Sequence, residues 1–247
     1  MIQPIILAAG KGTRMHSELP KVLHEIEGKP MLTYLLETLY GVPGYLPPIV
    51  VVGYREDLIR ERYGPTLTYA TQEDIRGTAL AVKAALHAIP KEAKAALVLY
   101  GDQPFLRKET LATLRTPPYT KATLVLGEVE VPHFEAEFKP FEAFGRLLRD
   151  PDERLQRVVE FKNAGPKERA IKSLNAGLFA IETQWLRTGI DLIEPDPLSG
   201  ESYLTGLLEV AYEERRRVGC LSMQPEEAFG INSQEEAQAL KLFMGSA

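Results

Sequence analysis

Cysteine is almost absent from this 247-residue chain. The single Cys220 excludes an intramolecular disulfide and any multi-cysteine metal site. Positive charge is in deficit, with 29 Lys and Arg against 34 Asp and Glu. A net charge of -5 argues against an extended nucleic-acid-binding face, which needs a surplus of cations to neutralise phosphates. No apolar run approaches the roughly 20 residues of a membrane span, and the first residues lack the basic stretch of a secretion signal. The expectation is a cytoplasmic protein. His16, His24, His87 and His133 form no ligand-spaced pair, and there is no Gly-x-Ser-x-Gly or Cys/His arrangement, so neither a zinc site nor a hydrolase is indicated.

What is present is alternation. Short apolar runs at Ile5 to Ala9, Ile49 to Val52, Ala96 to Tyr100 and, more loosely, Ala122 to Leu126 have the length and bounding turn residues of buried strands. Between them lie helical patterns at 31–39, 57–62, 78–89 and 108–114. This order implies an α/β fold: a Rossmann-like, mostly parallel sheet with helices on both faces. Beyond Gly127 the pattern loosens. Strands are expected at 154–161 and 173–181, a helix with a basic end at 203–217, and a closing helix at 233–243. The reading is one domain over 1–247 in two lobes, a nucleotide half to about 127 and an acceptor half from about 128. Cys220, in the apolar run Val218 to Leu221, reads as a core or strand residue.

The chemistry-bearing feature is Gly10-Lys11-Gly12-Thr13-Arg14, directly after the first strand. It fails the P-loop pattern, which needs four residues between its first Gly and Gly-Lys-Ser/Thr. It fails the dinucleotide fingerprint too, because Met15 stands where a third Gly is required. What remains is a turn whose small residues let backbone N–H groups approach an anion, with Lys11, Arg14 and Lys21 close in sequence. A triphosphate suits that density of donors. In open α/β sheets ligands bind at the carboxyl ends of strands, where Gly101-Asp102 would also fall.

Leu7-Ala8-Ala9-Gly10-Lys-Gly12-Thr13-Arg14-Met15, then Leu19-Pro-Lys21-Val-Leu-His24, then Gly28-Lys-Pro-Met-Leu32 resembles the start of the sugar-1-phosphate nucleotidyltransferases. Within them the chain is most similar to the uridylyltransferase domain of bacterial N-acetylglucosamine-1-phosphate uridylyltransferases. It has no hexapeptide-repeat tail like that of the bifunctional members. The resemblance implies that residues 7–10, Gly12, Thr13 and Lys21 bind the nucleotide. Arg14 and Lys21 would carry the catalytic charge. Gln72, Gly77 and Thr78 would read the base. On the acceptor side it implies Gly101, Gly145, Glu160, Asn175, Tyr203 and Thr205. Asp102 and Asn232 would hold Mg²⁺. The implied partners are a nucleoside triphosphate (UTP) and a sugar 1-phosphate (N-acetylglucosamine 1-phosphate), with no nucleic acid and no membrane; homo-oligomerisation is left open.

Four positions depart from the family pattern. Gly206 replaces the Asp of Glu-x-Tyr-Leu-Thr-Asp. Asn163 replaces the Asp of Glu-x-Lys-Asp, removing one acid near the sugar. Gly101-Asp-Gln-Pro-Phe105 is closer to molybdenum-cofactor nucleotidyltransferases. Ala79-Leu80-Ala81 replaces Ala-His-Ala. Two alternatives stay open: a nucleotidyltransferase for another hexose phosphate or a molybdopterin-like acceptor, and a non-catalytic sugar-nucleotide sensor. The reaction implied is an in-line displacement. An acceptor phosphate oxygen attacks the α-phosphorus and pyrophosphate leaves, with no general base because the attacking phosphate is already ionised.

Overall fold

The computed structural model describes residues 1–12, 15, 17–231 and 236. The strands are β1 (Ile2–Leu7), β2 (Glu25–Ile26), β3 (Lys29–Pro30), β4 (Ile49–Val52), β5 (Thr68–Thr71), β6 (Ala95–Tyr100), β7 (Leu124–Glu130), β8 (Arg146–Arg149), β9 (Leu155–Val159), β10 (Ser173–Glu182) and β11 (Val218–Ser222). The helices are α1 (Met31–Tyr40), α2 (Glu56–Tyr63), α3 (Thr78–Ala85), α4 (Lys108–Leu114), α5 (Pro166–Arg169), α6 (Thr183–Gly189), α7 (Gly206–Glu213) and α8 (Pro225–Ala228). The closing helix expected at 233–243 lies outside the described residues, Glu236 excepted.

Among the described residues, nine strands form one sheet, ordered β11-β7-β10-β6-β1-β4-β5, with β8 pairing β10 and β9 pairing β8. β6, β1, β4 and β5 run parallel, as do β7 and β11. β10 is antiparallel to both β6 and β7. The sheet is thus mostly parallel, as expected, with one reversed strand near its centre.

The apolar runs become strands because both faces of the sheet are covered. Ile6, Val50, Val52, Leu97 and Leu99 pack with Leu32, Leu35, Leu36 and Leu39 of α1 and with Leu111 of α4. Ile5, Ile49, Val51, Ala96 and Val98 pack with Val82 of α3, Trp185 of α6 and Leu207 of α7. Alternate residues of one strand therefore feed two cores, which is why these strands read as continuous apolar runs.

This topology positions the site. β1, β4, β5 and β6 all end at one edge, so the segments after Leu7, Val52, Thr71 and Tyr100 emerge side by side. β10 starts at that same edge because it is reversed, which brings Asn175 to Gly177 beside the end of β6. Had β10 run parallel, Asn175 would have been at the far edge.

Candidate active site

The glycine loop leaves the sheet under tight constraint. The Ala8 N–H still donates to the Val51 carbonyl at 2.8 Å, and the Tyr54 N–H donates to Ala9 at 3.2 Å. Ala8 and Ala9 are buried, Gly10 is exposed, and Lys11 sits over the Tyr54 ring, 5.2 Å from its centroid. Gly12 has φ +64°, and a Cβ there would lie 2.8 Å from the Lys21 Cβ. Glycine at 12 is therefore needed both for the left-handed turn and for the approach of Lys21. Thr13 and Arg14 lie outside the described residues.

Lys21 opens a short 3₁₀ turn, Lys21–Leu23, whose Val22 and Leu23 are buried. Val22 packs on Gly101, where a Cβ would lie 2.8 Å from Val22 Cγ1. The Gly101 N–H donates to the Leu7 carbonyl at 2.9 Å, continuing the β1–β6 ladder past the end of both strands. These contacts bring the Lys21 ammonium onto the Asp102 carboxylate in a short ion pair. A cation from the loop after β1 and an anion from the end of β6 thus meet at the strand-end edge.

A third segment arrives at the same point. The Ile231 N–H donates to the Asp102 carbonyl at 3.1 Å, and a Cβ on Gly230 would lie 3.2 Å from Asp102 Oδ2. The chain leading to Asn232 therefore runs against Asp102; Asn232 itself lies outside the described residues. Gln103 fixes this junction, donating through Nε2 to the carbonyls of Ala176 and Ala228 at 2.9 Å each. Sequence reasoning gave Gln103 no role.

The segment expected to read the base is zipped to the second half of the chain. Ala79 N–H donates to the Ser202 carbonyl at 2.9 Å, Ser202 N–H to the Arg76 carbonyl at 3.1 Å, and Leu204 N–H to Thr78 Oγ1 at 2.9 Å. Gly77 has φ +113°, and a Cβ there would run into the Ser202 carbonyl. Only glycine fits. Gln72 is 7% exposed and spends its amide N–H groups on the carbonyls of Asp74 at 2.7 Å and Gly77 at 3.2 Å. It shapes this loop directly.

Of the residues expected to hold the acceptor, Glu160 follows β9 and Thr205 precedes α7. Thr205 Oγ1 donates to Glu160 Oε1 at 3.4 Å. Burial pushes the Glu160 carboxyl above its ordinary range, opposed by the Thr205 bond and by the Lys162 charge. Gly145 is pressed against Val158, and its carbonyl accepts from the Asn175 N–H at 2.9 Å. Asn175 Oδ1 accepts from the Gly177 N–H at 3.0 Å across a break in the β10–β7 register. Tyr203 donates to Glu201 and accepts from Lys162 Nζ at 2.9 Å.

Tyr100, also without a role in the sequence reading, links the two sides. It hydrogen-bonds Thr78, packs against Gly177, and lies within electrostatic reach of both Glu160 and Asp102, while burial pushes its hydroxyl well up. The structure therefore gathers Gly12, Lys21 and Asp102 at one point and Gly145, Glu160, Asn175, Tyr203 and Thr205 at another; Gly101, expected with the second group, lies with the first, because its backbone is bonded to Leu7 and packed on Val22. A cavity of about 1130 Å³, lined in part by Met1, Lys94, Thr123 and Arg187, lies at the opposite edge of the sheet and contains none of these residues.

This arrangement has known counterparts. Residues 4–158 match the MobA-like NTP transferase domain. The chain belongs to that family. It is a nucleotidyltransferase, and the resemblance read from the glycine loop holds. It is 36% identical over 243 residues to the bifunctional protein GlmU of Heliobacterium modesticaldum, covering 96% of this chain and 51% of that protein. It is 33% identical to GlmU of Desulfotalea psychrophila, covering 94% and 67%. The chain thus spans about half to two thirds of these relatives. Among solved structures, a UDP-glucose pyrophosphorylase complexed with UDP-glucose superposes with a TM-score of 0.74 at 16% identity, covering all of both chains. A 4-diphosphocytidyl-2C-methyl-D-erythritol synthase from Anaerococcus prevotii gives 0.65 at 18%, covering 99% of this chain and 98% of that one. These two likenesses are of fold. No described helix is long and apolar enough to cross a membrane.

Proposed function

We propose that this NTP transferase domain moves a uridylyl group from UTP to N-acetylglucosamine 1-phosphate, releasing pyrophosphate. The observation that carries the reading is the Lys21–Asp102 pair at the strand-end edge, with Gly12 packed against it and Glu160, Asn175 and Thr205 gathered on the far side of Tyr100. Backbone N–H groups of the 7–12 turn cradle the triphosphate. Lys21 and Arg14 offset the charge that develops on the phosphates as the acceptor phosphate oxygen attacks. Glu160 and Asn175 accept and donate to sugar hydroxyls, which fixes the attacking phosphate in line.

The residues present suit Mg²⁺. Asp102 supplies a carboxylate, the segment placed against it leads to an Asn carboxamide at 232, and both are hard oxygen donors. Among the described residues no group of three or more His, Cys, Asp or Glu is placed to cage an ion. That fits a site completed by phosphate oxygens and water, as is usual for Mg²⁺. Once bound, the ion would neutralise phosphate charge, while the ion pair with Lys21 orients the Asp102 carboxylate. The Tyr100-Gly-Asp-Gln-Pro-Phe105 segment and the MobA-like family model favour a second reading, transfer to a molybdopterin-like acceptor.

A pyrophosphate-release screen, crossing the four nucleoside triphosphates with hexose 1-phosphates, hexosamine 1-phosphates and molybdopterin, tests this. The expected result is release with UTP and N-acetylglucosamine 1-phosphate and Mg²⁺. Release with another pair alone would replace the acceptor or the base. Nucleotide binding without release from any pair would identify a sensor.

A further inference from the structure

The acid missing at position 163 is not missing from the fold. Asn163 Nδ2 donates to the Asp196 carboxylate. Asp196 sits 33 residues away, at the start of the turn Asp196-Pro-Leu-Ser-Gly200, and its side chain is only 8% exposed. It also accepts from the N–H groups of Leu198 at 3.2 Å and Ser199 at 2.8 Å, and from Ser199 Oγ at 2.8 Å. The Asp196 backbone closes the same turn, donating to the Glu201 carbonyl at 2.8 Å and accepting from the Gly200 N–H at 2.8 Å. A carboxylate receiving this many donors is held firmly in its ionised form, below the ordinary carboxylate range.

Its charge is used next door. Lys162 Nζ lies 3.6 Å from Asp196 Oδ1, 2.9 Å from the Tyr203 hydroxyl and 5.0 Å from the centre of the Tyr203 ring. The ammonium is thus pinned between the turn and the tyrosine; its charge favours the ionised Glu160 carboxylate and offsets the opposing charge of Asp196. Asn163 and Lys162 lie on the short 3₁₀ turn Phe161–Asn163 directly after Glu160, so a grip on Asn163 orients all three.

We infer that Asn163 and Asp196 act as one hydrogen-bonded unit that positions Lys162 and Glu160 for the acceptor, with Asp196 supplying the carboxylate that position 163 lacks. Both are positioning residues, acting through Lys162, Glu160 and Tyr203. The inference rests on the assignment of Glu160 and Tyr203 to the acceptor side. It explains how a chain with Asn163 keeps a negative charge at this corner: the charge comes from a different segment, and the donor and acceptor are exchanged.

An exchange can be reversed, which gives the test. Asn163→Asp alone sets two carboxylates side by side. Asp196→Asn alone leaves two amides and takes one of its negative partners from Lys162. The double variant restores one N–H···O contact and one carboxylate. Each single variant should raise the acceptor KM by about tenfold, within the coupling range of residues in contact, with smaller changes in kcat and in the triphosphate KM. The double variant should return to within about threefold of the parent.

Melting temperature, followed through the same cycle, reads the pairing without any substrate. Both singles should melt lower and the double should recover. Failure of the double to recover in melting temperature overturns the pair. Recovery in melting temperature with an unmoved acceptor KM in the singles overturns the positioning role. If the parent protein turns over no acceptor at all, the assignment of this side to the acceptor falls, and the positioning role falls with it, while the melting cycle still decides whether the pair exists.

Discussion

The side of the site assigned to the triphosphate and the side assigned to the acceptor are held by different means. The first runs from Leu7 to Lys21 and is joined by Gly101 and Asp102 at the end of β6 and by the Gly230–Ile231 segment. Its geometry comes from strand ends, a positive-φ glycine and close backbone approach at Gly12 and Gly101. The second draws on Gly145, Glu160, Asn175 and the 196–205 segment, and much of its geometry comes from side chains bonded to other side chains. A backbone cradle tolerates little variation, because a Cβ at Gly12 or Gly101 has nowhere to go. A side-chain network can be rebuilt by exchanging partners, as Asn163 and Asp196 illustrate. Two of the four departures from the family pattern, Asn163 and Gly206, fall on the second side, where such exchange is open; the other two, at 79–81 and 101–105, lie on the nucleotide side.

Breaking the first side should have the largest effect. Lys21→Ala removes the cation proposed to contact the phosphates and breaks the ion pair with Asp102. Turnover should fall by about two to three orders of magnitude, equivalent to about 2.7–4 kcal/mol of barrier by analogy with loss of one preorganised charge-stabilising donor. Pyrophosphate release under saturating substrates measures it. A loss under tenfold would remove Lys21 from the chemistry and leave the backbone cradle as the main contributor.

Gly77 sits where the two sides are zipped together, so it tests whether they are independent. Gly77→Ala puts a methyl group against the Ser202 carbonyl at φ +113°. Backbone strain of this kind costs about 1–3 kcal/mol. Thermal melting should register that cost, and both substrate KM values should rise, because the 76–79 segment would separate from 202–204. A rise confined to the acceptor KM would show that the base-reading segment keeps its shape without the zipper.

The same contrast explains what was legible beforehand. The strands Ile49–Val52 and Ala95–Tyr100 were readable because burial on both faces demands continuous apolar residues. β5, Thr68–Thr71, was not, since it is an edge strand in which only Ala70 is buried. α6 was missed because it begins directly at the end of β10, with no turn residue to mark it. The helix expected over 203–217 is shorter, Gly206–Glu213. Tyr203 and Thr205 are spent on side-chain bonds at its start, and Arg215 has φ +53° just beyond its end. The reversal of β10 has no signature in residue pattern, because strand direction is set by what the chain does between strands.

Site residues divide in the same way. Gly12, Lys21 and Asp102 stand in contiguous motifs, so a sequence displays them. Gln103 and Asp196 reach the rest of the site through contacts 33 to 125 residues away. For Asp196 one local signal was available: Asp-Pro-Leu-Ser-Gly has the form of a turn whose Asp side chain accepts from the backbone N–H groups two and three residues on. Cys220, expected to be a core or strand residue, lies in β11 with its thiol pushed up to about 12, chiefly by burial.

The smallest expected effect sharpens the acceptor side through its pH dependence. On the proposed reading, Glu160 accepts hydrogen bonds from sugar hydroxyls, and it does so most strongly as a carboxylate. Burial raises its folded-state pKa, so as pH falls the acceptor-binding form is lost at a higher pH than an ordinary Glu would give. Thr205 donates to the carboxylate and opposes that rise. Thr205→Val removes the donor, so the acid limb of kcat/KM for the acceptor should move to higher pH. At pH 8 the same variant should change the acceptor KM by less than about threefold, because a 3.4 Å contact is at the long end of hydrogen bonds. The triphosphate KM should not follow this limb, since Glu160 belongs to the other side. A limb that moved to lower pH would mean that Thr205 stabilises the neutral acid. A limb shared by both substrates would mean that the two sides titrate as one, and that the division between them does not hold at Glu160.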